Sequence, residues 1–165
     1  MEEQGPTGLL MGTIGGEEVK IYITSYFNTK ARLLPIRDQL NAMGYHVIST
    51  WLDEPTTNNT HPFLPPSEAD SVRYAIRDYQ EIQDCDLLVC DTFDETLRGG
   101  REVELGYALG KMKQVYVVGP RRNVFHFTVR HFEAWEACIE FLKDFWGTNG
   151  AGNVGFKVRP EQTSL

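Results

Sequence analysis

The 165-residue chain carries 23 acidic against 16 basic side chains, a formal net charge of −7, with 41% hydrophobic residues. That length suits one domain with its own core. The acidic balance excludes sequence-independent binding to a nucleic acid polymer or an anionic membrane and leaves a small molecule or another protein as partner.

In chain order, residues 1–18, rich in Gly and Glu, are expected to form a flexible leader. Residues 19–24 (VKIYIT) have the β-branched and aromatic content of a first strand, followed by a polar turn over 25–29. A helix is predicted over 30–43, with Pro35 tolerated in its early turns and Gly44 at its C-terminal cap. Residues 45–51 read as a short second strand ending on Trp51, and 52–66, with four prolines, as a long loop of the kind that is usually functional or disordered.

Ser67 with Glu68 and Asp70 marks the start of a helix running to about 83, with Val72, Ala75, Ile76, Tyr79 and Ile82 as its apolar face. The continuous apolar run DLLVCD (86–91) suits a strand covered on both faces. In RGGREVELGYALG (98–110), two glycines open a helix, Glu102 and Glu104 fall in its first turns, and Leu105, Tyr107, Ala108 and Leu109 pack it. A carboxylate there is expected to be favoured in its ionised form by the helix dipole.

A fourth strand over 114–120, a loop over 121–128, a brief fifth strand near 129–132, a helix over 133–145 and a tail over 147–165 complete the chain. Strands alternating with helices imply a parallel sheet covered on both faces with right-handed crossovers. The expected fold is α/β, a single-domain flavodoxin-like three-layer sandwich with a five-stranded parallel sheet spanning residues 19–146. Its ligand site should form where the loops 24–30, 51–66, 91–100 and 119–128 gather at the carboxyl edge.

Cys85, Cys90 and Cys138 are odd in number and lack CxxC spacing; they read as buried thiols of a reducing compartment. With no apolar run of about 18 residues and no secretory layout at the N-terminus, the expected location is the cytoplasm. Scattered histidines and cysteines give no zinc spacing, and no glycine pattern of a dinucleotide or Walker loop is present, so neither metal nor cofactor is expected.

Glu104 is the candidate nucleophile, the alternative being a solvated acid that complements the helix dipole. Glu102, two residues away, is assigned to solvent. Tyr22 is placed to hydrogen-bond the nucleophile or to pack in the core. Asp78 interrupts an apolar helix face next to Arg77, either as a general acid or as a surface ion pair. Asp91 and Asp94 follow the third strand and are expected to reach the pocket. Trp51 is placed to stack a planar base or to cover the long loop. Ser25, Asn28, Lys30 and Arg32 form a polar group suited to an anion.

Taken together, Tyr22, the DLLVCD strand and GGREVELGYALGK followed by VYVVGP resemble the nucleoside 2-deoxyribosyltransferase family and its relatives, the 2′-deoxynucleoside 5′-monophosphate N-glycosidases, over roughly residues 19 to 145. The resemblance implies a five-stranded flavodoxin-like fold and cleavage of the bond between a nucleobase and C1′ of deoxyribose. It implies Glu104 as nucleophile, Tyr22 as the residue that positions it, Asp78 as the acid at the base, Asp91 or Asp94 as a further pocket carboxylate and Asn123 as counterpart of a late asparagine. Gly99 and Gly100 are expected to leave room for the sugar. Ser25, Lys30 and Arg32 are similar in kind to a loop that receives a 5′-phosphate. The expected reaction is transfer of deoxyribose to another base through a glycosyl-glutamate. Hydrolysis of a deoxynucleoside 5′-monophosphate and a non-catalytic nucleotide-binding or sensing domain are the alternatives, with a flavin protein a more distant one. The resemblance also implies a homo-oligomer, with Phe125, Phe127, Phe132, Trp135 and the loop 52–66 as candidate interface.

Overall fold

The computed structural model describes residues 13–14, 17–54, 67–95 and 99–148. Most of the expected leader, most of the 52–66 loop and nearly all of the tail lie outside the described residues. Five strands, β1 (Lys20–Thr24), β2 (His46–Val47), β3 (Leu87–Asp91), β4 (Gln114–Val118) and β5 (Arg130–Phe132), form one sheet. Its order is β2-β1-β3-β4-β5 and every pairing is parallel. This is the doubly wound α/β arrangement expected, with its switch point between β1 and β3.

Helices α1 (Lys30–Ala42), α2 (Glu68–Asp84), α3 (Gly100–Gly110) and α4 (Trp135–Thr148) cover the sheet. Helices α2 and α3 pack on each other and over β1. On the other face, the Tyr45 hydroxyl beyond α1 donates to the Leu142 carbonyl of α4 at 2.9 Å. The register pairs Tyr22 with Leu88 and Thr24 with Cys90. Because strand side chains alternate, these residues face α2 and α3, while Ile21, Ile23, Val89 and Asp91 face α1 and α4.

Four sequence expectations are corrected. The described end of the leader pairs Thr13–Ile14 with Glu17–Glu18 as an antiparallel hairpin. The second strand stops at Val47, because the Ser49 hydroxyl accepts the Ile23 N–H in place of a backbone carbonyl. Trp51 therefore lies in a 3₁₀ turn (Thr50–Asp53) rather than at a strand end. On α2 the expected apolar face is largely exposed, with Val72 at 54% and Ile76 at 52%, and Ile82 is its buried apolar residue. Ser67 does cap this helix, accepting the Asp70 N–H at 3.1 Å. The three cysteines are free and buried.

Candidate active site

Helix α3 begins at Gly99, whose φ of +71° is a left-handed conformation that side-chain-bearing residues rarely adopt. At Gly99 and Gly100 a Cβ would meet nothing within 4 Å among the described residues. From this start the helix carries Glu104 over β1, half-buried, above the face that presents Tyr22 and Thr24. Burial pushes the Glu104 carboxyl from 4.5 up to about 7; Asp78 adds to the rise, while the Thr24 and Tyr22 hydroxyls and Arg77 oppose it. Both hydroxyls thus lie near enough to favour the carboxylate, yet neither makes a hydrogen bond of acceptable geometry among the described residues. Tyr22 is raised well above its ordinary value by burial and then by Glu104, Asp78 and Glu81, so the phenol stays a neutral donor.

Helix α2 brings a second set of charges to the same face. Asp78 is half-buried and accepts from Arg77 through Nε at 3.0 Å and Nη2 at 2.6 Å. Burial raises its carboxyl in spite of that partner. Arg77 also pairs with Glu54, at the end of the 3₁₀ turn. One turn along α2, Glu81 accepts the Thr50 hydroxyl and the Thr50 N–H, and burial raises it too. Glu54, Asp78, Glu81 and Glu104 therefore gather around Arg77, an excess of negative charge over positive.

Glu102 corrects the sequence reading. It does not project into solvent: Arg101 donates to Oε1 through Nε at 3.0 Å and Nη2 at 2.8 Å, and Asn123 donates to Oε2 at 2.7 Å. The His126 ring, fully buried, meets Oε2 through Nε2 at 3.0 Å. The Arg122 N–H donates to Nδ1 of the same ring at 3.1 Å, which puts the proton on Nε2 facing the carboxylate. Burial alone would raise Glu102, but the bonds from Arg101 and His126 hold it below its ordinary value. Arg101 also donates to the carbonyls of Asp91 and Asp94, so this cluster ties the start of α3 to the loops that follow β3 and β4. Asn123 is part of it, and caps the 3₁₀ turn Val124–Thr128 by accepting from the N–H groups of Phe125 and His126.

Asp91 belongs to the opposite face. It is fully buried, bonded by Arg32 through Nη1 and Nη2 at 2.8 Å each, by Ser25 at 3.1 Å and by Trp135 Nε1 at 2.7 Å. The expectation that it reaches the pocket of Glu104 is corrected, because alternation along β3 turns Cys90 toward α3 and Asp91 away. Ser25 goes with it. Asp94 pairs with Arg32 at 2.9 Å and lines, with Phe93, Trp135 and Glu136, a separate depression of about 330 Å³. The anion group is likewise engaged: Lys30 donates to the Glu54 carbonyl, and Arg32 is held by Asp91 and Asp94. Trp51 is buried, with Nε1 donating to the Ile23 carbonyl at 2.8 Å and its ring 6.2 Å from that of Phe27, which makes it core rather than an open stacking surface.

Sequence reading therefore named Tyr22, Asp78 and Glu104, and the fold brings those three together. It missed Thr24, Glu54 and Glu81 as their neighbours, and had Arg77 only as the ion-pair partner of Asp78. Of the missed residues Thr24 alone left a signal, standing two residues beyond Tyr22 on the same strand. The others depend on which way α2 is rotated, and its thin apolar pattern did not define that.

No family model matches the chain, and no curated protein matches it in sequence. Solved structures do match. The 2-deoxyribosyltransferase of the psychrotolerant bacterium Bacillus psychrosaccharolyticus has a TM-score of 0.56 at 19% identity, covering 73% of this chain and 90% of its own. A conserved protein from Enterococcus faecalis has a TM-score of 0.56 at 16% identity, covering 77% and 98%. The CMP N-glycosidase of Clostridium botulinum covers 76% and 97% at 14% identity, with a TM-score of 0.49. The first two likenesses establish the fold.

Proposed function

We propose that this chain is an N-glycosyl transferase acting on 2′-deoxynucleosides, which cleaves the bond between base and C1′ through a covalent glycosyl-Glu104 intermediate and passes deoxyribose to a second base. The observation that carries this reading is a buried carboxyl at Glu104 that ionises near neutrality, beside two unbonded hydroxyls of β1 and the Asp78 carboxyl. Ionised Glu104 attacks C1′ as the C1′–N bond breaks, and the base leaves with the bonding pair. Asp78, its carboxyl raised by burial, protonates or hydrogen-bonds that base. A nitrogen of the second base then attacks C1′ and gives up its proton to the Asp78 carboxylate left by the first step, and Glu104 departs with the electron pair of its ester bond. The sequence resemblance and the name of the Bacillus structure support the same chemistry.

An uncharged nucleoside is favoured over a 5′-monophosphate. Among the described residues Lys30, Arg32 and Arg77 are all engaged by carbonyl or carboxylate oxygens, and the surroundings of Glu104 are rich in acid. A cation directed at the phosphate would be needed to offset that field. Buried free cysteines accord with a reducing compartment such as the cytoplasm, and the exposed apolar residues of α2 accord with a homo-oligomer.

The test is incubation with a deoxynucleoside and a second free base, followed by chromatography. The expected product is the exchanged nucleoside. Free base and sugar alone would make the chain a hydrolase, and turnover confined to monophosphates would restore the phosphate-receiving first loop. Saturable binding without product would leave a sensing domain.

A further inference from the structure

Two buried side-chain polar atoms lack a hydrogen-bond partner among the described residues, Tyr22 Oη and Thr24 Oγ1. Both are hydroxyls on one strand, two residues apart on the face that α3 covers, and both residues are fully buried. An unpaired hydroxyl in the interior is costly, and native proteins keep few without a reason. Packing gives no reason at Thr24, since valine would fill the same space and remove the polar atom. The reason for Tyr22 is its place beside Glu104, and Thr24 shares that place.

We propose that Thr24 is a second positioning residue for Glu104, its hydroxyl acting with that of Tyr22 to aim the carboxylate at C1′. This rests on the reaction proposed above. A donor there has two effects. Before attack it keeps Glu104 in the anionic form that is nucleophilic. After attack it stabilises the charge that returns to Glu104 as the ester C1′–O bond breaks and the acceptor base bonds to C1′. The charged and titratable groups around Glu104 are Tyr22 from β1, Asp78 and Arg77 from α2 and Cys90 from β3, with Glu81 acting on Tyr22. Of the hydroxyls near Glu104, that of Thr24 is the one that does not titrate.

The experiment follows the Glu104 carboxyl by ¹³C NMR in protein labelled at glutamate carboxyl carbons, its resonance assigned with Glu104→Gln. In Thr24→Val the titration midpoint moves up by about half a pH unit or more, and Thr24→Ser returns it to within about 0.2 of the parent. The ascending limb of the pH–rate profile moves with it, kcat at pH 7 falls about tenfold with KM little changed, and the glycosyl-enzyme accumulates. The melting temperature is not lowered. Should the valine variant not fold, Thr24→Ala supports the same comparison. A wild-type midpoint in a folded Val or Ala variant overturns the assignment. If the midpoint moves but the parent protein exchanges no base, Thr24 keeps its role toward Glu104 and the reaction proposed above falls.

Discussion

Glu102 and Glu104 stand two residues apart on one helix, and their surroundings drive them in opposite directions. Glu102 is held low by Arg101 and His126, whereas burial lifts Glu104 to about 7. The folded state therefore keeps a proton on Glu104 that the unfolded chain releases near 4.5. Stability from this group is full below that value and falls as pH rises toward about 7, by at most about 3 kcal/mol. Glu104→Gln should accordingly raise the melting temperature above pH 7, lose that advantage near pH 4, and abolish base exchange; urea or thermal unfolding across pH checks the first part. Activity of the parent should climb with pH through about 7, since the proposed nucleophile is the anion, and a rate flat from pH 5 to 8 would contradict that role. Glu102→Ala does something different. It takes the carboxylate from a buried imidazole and from a guanidinium that is 4% exposed, leaving the latter only carbonyl partners among the described residues, and should cost about 2–3 kcal/mol in urea denaturation.

Among the elements, what was legible in sequence was what a single element determines. The alternation of strands and helices, the Ser67 cap and the glycine start of α3 each depend on a few adjacent residues. The second strand was read too long because Ser49 substitutes its side chain for a backbone partner, a choice made by β1 and not by the strand itself. Helix α2 was misread for a related reason: its polar residues Arg77, Asp78 and Glu81 are half-buried, while Val72, Ile76 and Tyr79 are exposed. That inversion of ordinary amphipathicity fits a helix that borders a polar site on its inner side. Asp91 could have been placed correctly from alternation, since a strand that turns Cys90 toward Glu104 turns Asp91 away. Asp91→Ala should then cost about 2–4 kcal/mol in denaturant, because Arg32 and the Trp135 N–H lose their acceptor. It should leave KM for the nucleoside near that of the parent; a large rise in KM at unchanged stability would return Asp91 to the pocket.

At the scale of the whole molecule the sheet separates two polar systems. The acid-rich site lies under α2 and α3, and the Arg32–Asp91–Trp135 cluster locks α1 and α4 to the other face. The locking cluster satisfies its own charges, so it can be rigid; the site keeps unbonded hydroxyls and a part-protonated acid, so its best partner is a ligand. On the outer side of the site helices, Val72, Ile76, Tyr79 and Val103 are exposed, and Tyr79 packs against Tyr107 with ring centroids 4.6 Å apart and the rings tilted by 50°. An apolar surface spanning two packed helices is hard to leave in water, and a two-fold axis through it would bury the same residues on both copies. The full chain should therefore sediment as a dimer or larger species at micromolar concentration. Ile76→Glu, which places a charge at the centre of that surface without touching Arg77, Asp78 or Glu104 chemically, should shift it to monomer while leaving the far-ultraviolet circular dichroism unchanged. A parent chain that sediments as a monomer at tens of micromolar would leave the inverted helix α2 explained by the site alone.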